Sequence, residues 1–356
     1  MDLSIAVQLV LNSILAGGIY ALIALGYTMV YGVLKFINFA HGEIFMIGAY
    51  TAYAASVALP MQVAVPFSWF MSILVVLFLA YHIPFDSFFK KRVWYQYLII
   101  AGILLVVAKS ISYFFLYLLV HALPLWISAL ISIIVCAILG FVIEKVGYKK
   151  LRGKDRLTPL ITAIGFSIIL QALALLMFGG EIRSFEYKTQ ESYEVFGASI
   201  TPHQLLIILT SIIIMILLHL FLKYTKYGKA MRAVTDNMDV AKIIGINPDK
   251  VISLVFMIGS GLAAVAGILI GIEQNLHPTM GIVPGIKAFT AAVIGGIGNI
   301  YGAVLGGYFI GFAENIGIWF IPSGYKDAIA FVILLLMLLL KPSGFFGQQK
   351  EEEVRA

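Results

Sequence analysis

The chain has 356 residues, of which 61% are hydrophobic and only 12% charged, with a mean hydropathy of +1.00; soluble domains carry about 25% charged residues, so a soluble globular fold is excluded. The formal charge of +6 is dispersed over short loops between apolar runs, so it marks membrane topology and not a nucleic-acid surface. A single cysteine, Cys136, sits inside an apolar run and leaves no disulfide or cysteine metal site within the chain.

Crossing the hydrocarbon takes about twenty apolar helical residues at roughly 1.5 Å of rise each. By that ruler the spans fall at about 5–33, 39–58, 67–84, 97–120, 125–143, 160–178, 204–222, 251–271, 286–297 with 302–321, and 325–340. The first residues carry no basic stretch ahead of the apolar run and read as a retained helix, not a cleaved signal. The expectation is an all-α polytopic membrane protein of ten or eleven transmembrane segments, one transmembrane domain over 1–356, with a short solvated tail at 348–356.

Charge sets the orientation. The loops 144–157 and 223–250 each hold six basic residues, against two and three acidic ones, and 86–92 adds Lys90, Lys91 and Arg92. The loop 179–203 has four acidic and two basic residues. Basic loops face the cytoplasm, which places the N-terminus outside and the C-terminus inside if 286–297 counts as a crossing.

Lipid supplies no hydrophobic drive for helix association, so small residues that let backbones approach carry much of the packing. Gly298, Gly302 and Gly306 recur every four residues, with Gly295 and Gly296 just ahead, as do Gly267 with Gly271 and Gly307 with Gly311; these are expected packing faces. The Gly295 to Gly298 run lacks the lysine and hydroxyl residue of a phosphate-binding loop. No cofactor is therefore expected on this chain.

Ionisable groups within spans cost roughly 2.5 to 3.5 kcal/mol on insertion scales, and each is a functional candidate: Glu43, Lys109 and Glu314, and nearer the ends His41, His121, His219, Glu273 and Asp327. None recur at the spacing of a helical metal box, and no catalytic dyad is suggested locally. In the run from Ile37 to Glu43, Asn38 can cap a helix start, and Glu43 lies near the positive end of that helix. Two readings stand for Asn38, His41, Glu43 and Glu314: groups on a translocation path or gate, or hydrogen-bonding ties between helices.

The soluble interruption at 223–250 is the segment that a cytoplasmic partner could grip. Met231, Val234, Met238, Ala241 and Ile244 are apolar at three- and four-residue spacing, predicting one short helix over 231–244. Within it Asp239, Val240, Ala241 and Gly245 form D-V-A-x-x-x-G, which resembles the E-A-A-x-x-x-G loop by which ATP-binding-cassette permeases dock onto their ATPase.

The runs INFAHGE (37–43) and AAVIGGIGNIYGA (291–303), with YGKAMRAVTDNMDVAKIIGINPDKV (227–251), resemble the branched-chain amino acid permease family of ABC importers, close to the first of the two permease subunits in those systems. The resemblance implies a subunit that pairs with a second permease, two cytoplasmic ATPases that use ATP and Mg, and an extracytoplasmic solute-binding protein, in the cell (plasma or inner) membrane. It puts the ATPase contact on Asp239, Val240, Ala241 and Gly245, and leucine, isoleucine and valine first among substrates. Urea, short amides or other amino acids are the alternatives within similar permeases; a self-sufficient secondary transporter or a membrane enzyme is the alternative outside them. Residues 60–123 depart from the family pattern and read as an insertion with two extra spans.

Overall fold

The computed structural model describes residues 3–82, 94–152, 154–155, 157–185 and 192–347. The loop with Lys90, Lys91 and Arg92, part of the acidic loop (186–191) and the tail at 348–356 lie outside the described residues.

The chain is helical almost throughout: α1 (Leu3–Leu34), α2 (His41–Ser56), α3 (Met61–His82), α4 (Trp94–Val120), α5 (Leu125–Ile143), α6 (Leu157–Phe178), α7 (Pro202–Tyr224), α8 (Lys226–Asp236), α9 (Met238–Ile243), α10 (Pro248–Glu273), α11 (Ile282–Gly295), α12 (Ile300–Gly317) and α13 (Lys326–Leu340). Among the described residues, eight helical stretches are long and apolar enough to cross a membrane. This is a multi-pass membrane protein. Among the described residues, a small antiparallel hairpin, β1 (Tyr193–Val195) with β2 (Ala198–Ile200), departs from the all-α pattern in the acidic loop.

Two apolar segments are half-length. The 16 residues of α2 and the 14 of α11 rise only about 24 and 21 Å, short of the roughly 30 Å hydrocarbon core. Their first turns touch: Gly42 lies against the Gly281 carbonyl, and Gly281 against that of Gly42. From that junction they run apart, α2 packing along α5 and α10, α11 along α1, α12 and α13. His41, at the start of α2, lies against Gly26, and Gly26 against Gly259, at the middle of the 26-residue α10. The junction is thus deep within the bundle, and every residue of α2 from His41 to Ala55 is buried.

Small residues make these contacts possible. Gly302 meets the backbone of Gly295, Gly306 the carbonyl of Ala291, Gly307 the backbone of Ala21, and Gly311 the backbone of Ser13 and Gly17; Gly267 sits on the carbonyl of Phe45. Gly298 departs from this pattern. It precedes α12, its φ is +101°, and a side chain there would meet only Gly32, at 4.0 Å, so it serves the turn between α11 and α12 and not a helix face. Polar side chains tie further helices together, as Ser132 donating to the Gly48 carbonyl (2.6 Å) and Ser68 with Ser112 (3.0 Å) across α3 and α4. The last carbonyls of α11 are met by the chain end: Phe345 donates to Ile294 (2.8 Å) and Phe346 to Gly295 (3.3 Å).

Two loop expectations change. The one helix expected over 231–244 is two, because Asn237 takes extended angles (φ −153°, ψ 112°) and its Oδ1 accepts from the amides of Asp239 (3.0 Å) and Val240 (3.1 Å), an N-cap that starts a new helix. The loop expected at 144–157 instead begins by continuing the helix through a π turn, Glu144–Tyr148, and a 3-10 turn, Lys149–Leu151.

Gly302→Val is expected to lose folded protein, seen as aggregation on size exclusion in detergent, since its Cβ would overlap Gly295. Gly102→Ala and Gly165→Ala, where nothing lies within 4 Å, should leave the profile unchanged.

Candidate functional site

Asn38 precedes α2 and is fixed from two sides. Its Oδ1 accepts from the Ala40 amide (3.2 Å) and from the Tyr148 hydroxyl (2.7 Å), so it braces the turn ahead of the helix and ties it to the π turn after α5. It does not cap α2 itself: Ala40 stands at the cap position. His41 is 2% exposed, its ring 4.7 Å from that of Tyr27.

Glu43, in the first turn of α2, is also 2% exposed. Its Oε1 accepts from Ser167 (3.1 Å) and Gln171 (2.6 Å), both on α6, while Oε2 has no hydrogen-bond partner among the described residues. Both residues on α6 and the first turns of α2 and α11 line a cavity of about 320 Å³, whose other walls include Tyr27, Phe39, Ile164, Ile286 and Phe289. Among the described residues, Glu43 is the one acidic or basic side chain lining it.

Glu314 lies elsewhere, fully buried on α12. Its Oε1 is 2.8 Å from Lys287 Nζ, and its Oε2 accepts from the Tyr20 hydroxyl at 3.0 Å. Lys287, 4% exposed on α11, also reaches Asp327 at the start of α13 (2.7 Å) and Tyr20 Oη (3.3 Å). Four helices, α1, α11, α12 and α13, are thereby tied by one ionic cluster, and of the two readings of Glu314 the geometry supplies the inter-helix tie. Sequence reasoning missed Lys287. It stands near the edge of a short apolar run, where a lysine reads as a loop residue, although a lone cation in GIKAFTAAVIGGIG was the available signal. Glu144 was missed likewise: fully buried in the π turn, it accepts from Ser253 on α10 (3.0 Å) and pairs with Lys145 (3.0 Å) and Arg152, which also reaches Asp249. Lys109 is exposed and lies 6.0 Å over the Tyr113 ring.

The soluble segment presents an apolar surface. In α9 Asp239 is 87% exposed and pairs with Lys242 (3.0 Å); Val240 is 52%, Ile243 84% and Ile244 66% exposed, whereas Ala241 is 1% exposed, turned into the protein. Gly245 follows with a φ of +89° and open space beside it, the left-handed position at which a helix commonly ends in glycine. Asn247 then caps α10, accepting from Asp249 (3.0 Å) and Lys250 (3.3 Å).

The sequence profile of the family described as branched-chain amino acid transport system / permease component matches residues 9–338. The chain belongs to this family. Relatives within it resemble the chain from end to end: the high-affinity branched-chain amino acid transport system permease protein LivH of Salmonella typhimurium is 36% identical over 98% of this chain and 97% of its own length. BraD of Pseudomonas aeruginosa, of the same description, gives the same figures, and LivH of Escherichia coli K12 is 35% identical over equal shares. Among solved structures, PsaBC from Streptococcus pneumoniae in complex with Fab matches 93% of this chain and 91% of that one with a TM-score of 0.42 and 11% identity, too loose a likeness to bear on the fold.

For this permease the buried cluster gives a direct test. Lys287→Met alone should destabilise the protein by about 3 kcal/mol, because Glu314 is left buried without its cation, lowering the Tm in detergent. The paired change Lys287→Met with Glu314→Gln should recover much of that loss.

Proposed function

We propose that this chain is the membrane permease subunit of an ATP-driven importer, moving leucine, isoleucine and valine delivered by an extracytoplasmic solute-binding protein. The observation that carries the reading is the family match across nearly the whole chain, with relatives of that description at 36% identity end to end. The chain would act with a second permease subunit and two cytoplasmic ATPases, which bind ATP and Mg. In this reading the N-terminus is outside and the C-terminus inside; α12 and the half-helices α2 and α11, the latter two each completed by irregular chain (35–40 and 274–281), bring the eight long stretches to eleven crossings. Irregular backbone is tolerated at such depth where it is buried in protein or lines a cavity. The pair α3 and α4, within the proposed insertion 60–123, lies to one side, since α4 faces outward over most of its length.

The coupling contact falls on Asp239, Val240, Ala241 and Gly245, on the segment between α8 and α10. Their roles differ by exposure. Val240, Ile243 and Ile244 form the apolar surface offered to an ATPase, Ala241 anchors α9 to the protein, and Gly245 allows the reversal that holds the surface out. ATPase closure would push on this handle and shift the permease pair between outward- and inward-open states, a rigid-body transition.

The reading is tested with the assembled transporter. Ile243→Glu with Ile244→Glu, and separately Gly245→Arg, should leave the subunit in the membrane at wild-type level while leucine uptake falls at least about tenfold, the equivalent of 1.4 kcal/mol of lost coupling, and less ATPase co-purifies. Wild-type uptake and co-purification by both variants would remove the coupling assignment.

A further inference from the structure

The cavity at the junction of α2 and α11 contains a chemical imbalance. Placing a carboxylate inside a membrane protein is expensive and calls for partners. Glu43 has them on one side only: Ser167 and Gln171 both donate to Oε1. Its Oε2 has no partner among the described residues and lies beside Gly281, where the first turns of the two half-helices meet. Helix N-termini carry partial positive charge, and two of them meet here. Of the remaining walls, Phe39, Ile164, Ile282, Ile286 and Phe289 are hydrocarbon, and Tyr27 adds a phenol.

A group that completes such a site must donate hydrogen bonds, carry positive charge and be attached to an apolar body. A bare metal ion fits poorly, since one carboxylate is the only charged group on the wall and no cluster of three or more metal-binding side chains occurs among the described residues. A volume of about 320 Å³ lies at the small end of the roughly 300–1,000 Å³ typical of small-molecule sites. Transporters commonly place substrate where interrupted helices begin near mid-membrane, and the junction lies at the mid-length of α10.

We propose that Glu43 Oε2 receives the α-ammonium group of an aliphatic amino acid in transit, its side chain resting on Ile164, Ile282, Ile286 and Phe289. The converging helix ends offset the repulsion between Glu43 and the substrate's own carboxylate. This site rests on the importer reading above and adds to it a recognition step within the permease, separate from that of the solute-binding protein.

The test uses proteoliposomes containing the complete transporter with its solute-binding protein, and follows radiolabelled leucine and valine uptake beside ATP hydrolysis. Glu43→Gln keeps the shape and the bonds to α6 but loses the charge; it should lower uptake of both amino acids at least about tenfold, as expected for losing a charge-assisted hydrogen bond, while binding-protein-stimulated ATP hydrolysis stays at the wild-type level. Ile286→Phe, which narrows the cavity and leaves Glu43 in place, should shift the leucine-to-valine uptake ratio toward valine by several-fold. Wild-type uptake by Glu43→Gln, an unchanged ratio in Ile286→Phe, or a parallel fall of uptake and hydrolysis in Glu43→Gln would each overturn the site. Failure of the wild-type transporter to move either amino acid would instead remove the importer reading on which the site rests.

Discussion

Backbone contact between α1 and α12 is the constraint from which much of this structure follows. Gly307 and Gly311 lie directly on the backbone of Ser13, Gly17 and Ala21, an approach that any side chain would prevent. Only at that separation does the Tyr20 hydroxyl reach Glu314, and Glu314 then holds Lys287 on α11. Lipid offers neither a hydrophobic drive for association nor water for unpaired groups; glycine contacts and matched polar groups must therefore act together.

The same arrangement positions the half-helices. Held to α12 by Gly302 and Gly306 and to α1 and α13 by the Lys287 cluster, α11 cannot slide, and its first turn is set against that of α2. On the other side α2 is held by α5 and α10, through Ser132 at Gly48 and through Gly267 at Phe45. The junction between them is thus assembled from two separately braced halves. The cavity there is walled mainly by helices, with Phe39 from the chain ahead of α2, and Glu43 stands on the rigid first turn of a buried helix.

Communication between α9 and the start of α2 has a physical route. Tyr148, in the π turn after α5, bonds to Asn38 just ahead of α2, and Glu144 in the same turn binds Ser253 on α10. The α10 helix in turn begins at the Asn247 cap next to α9. A displacement of α9 is therefore connected through α10 and the π turn to the start of α2, and π turns are frequent at functional positions.

What the sequence determined by itself was whatever depends on hydropathy and local chemistry: the apolar segments, close to α1 to α7 and α10 to α13, and the family, through runs such as INFAHGE. The single helix expected over 231–244 failed because the cap preference of Asn237 outweighed an apolar period that continues across it. Only the tertiary structure decided the rest. Hydropathy counts residues and not depth, so it could not reveal that α2 and α11 begin at one internal junction, and charge in a sequence carries no record of its partner. Lys287 and Glu314 are 27 positions apart and Glu43 and Gln171 are 128 apart, and only the packing of the helices brings each pair together.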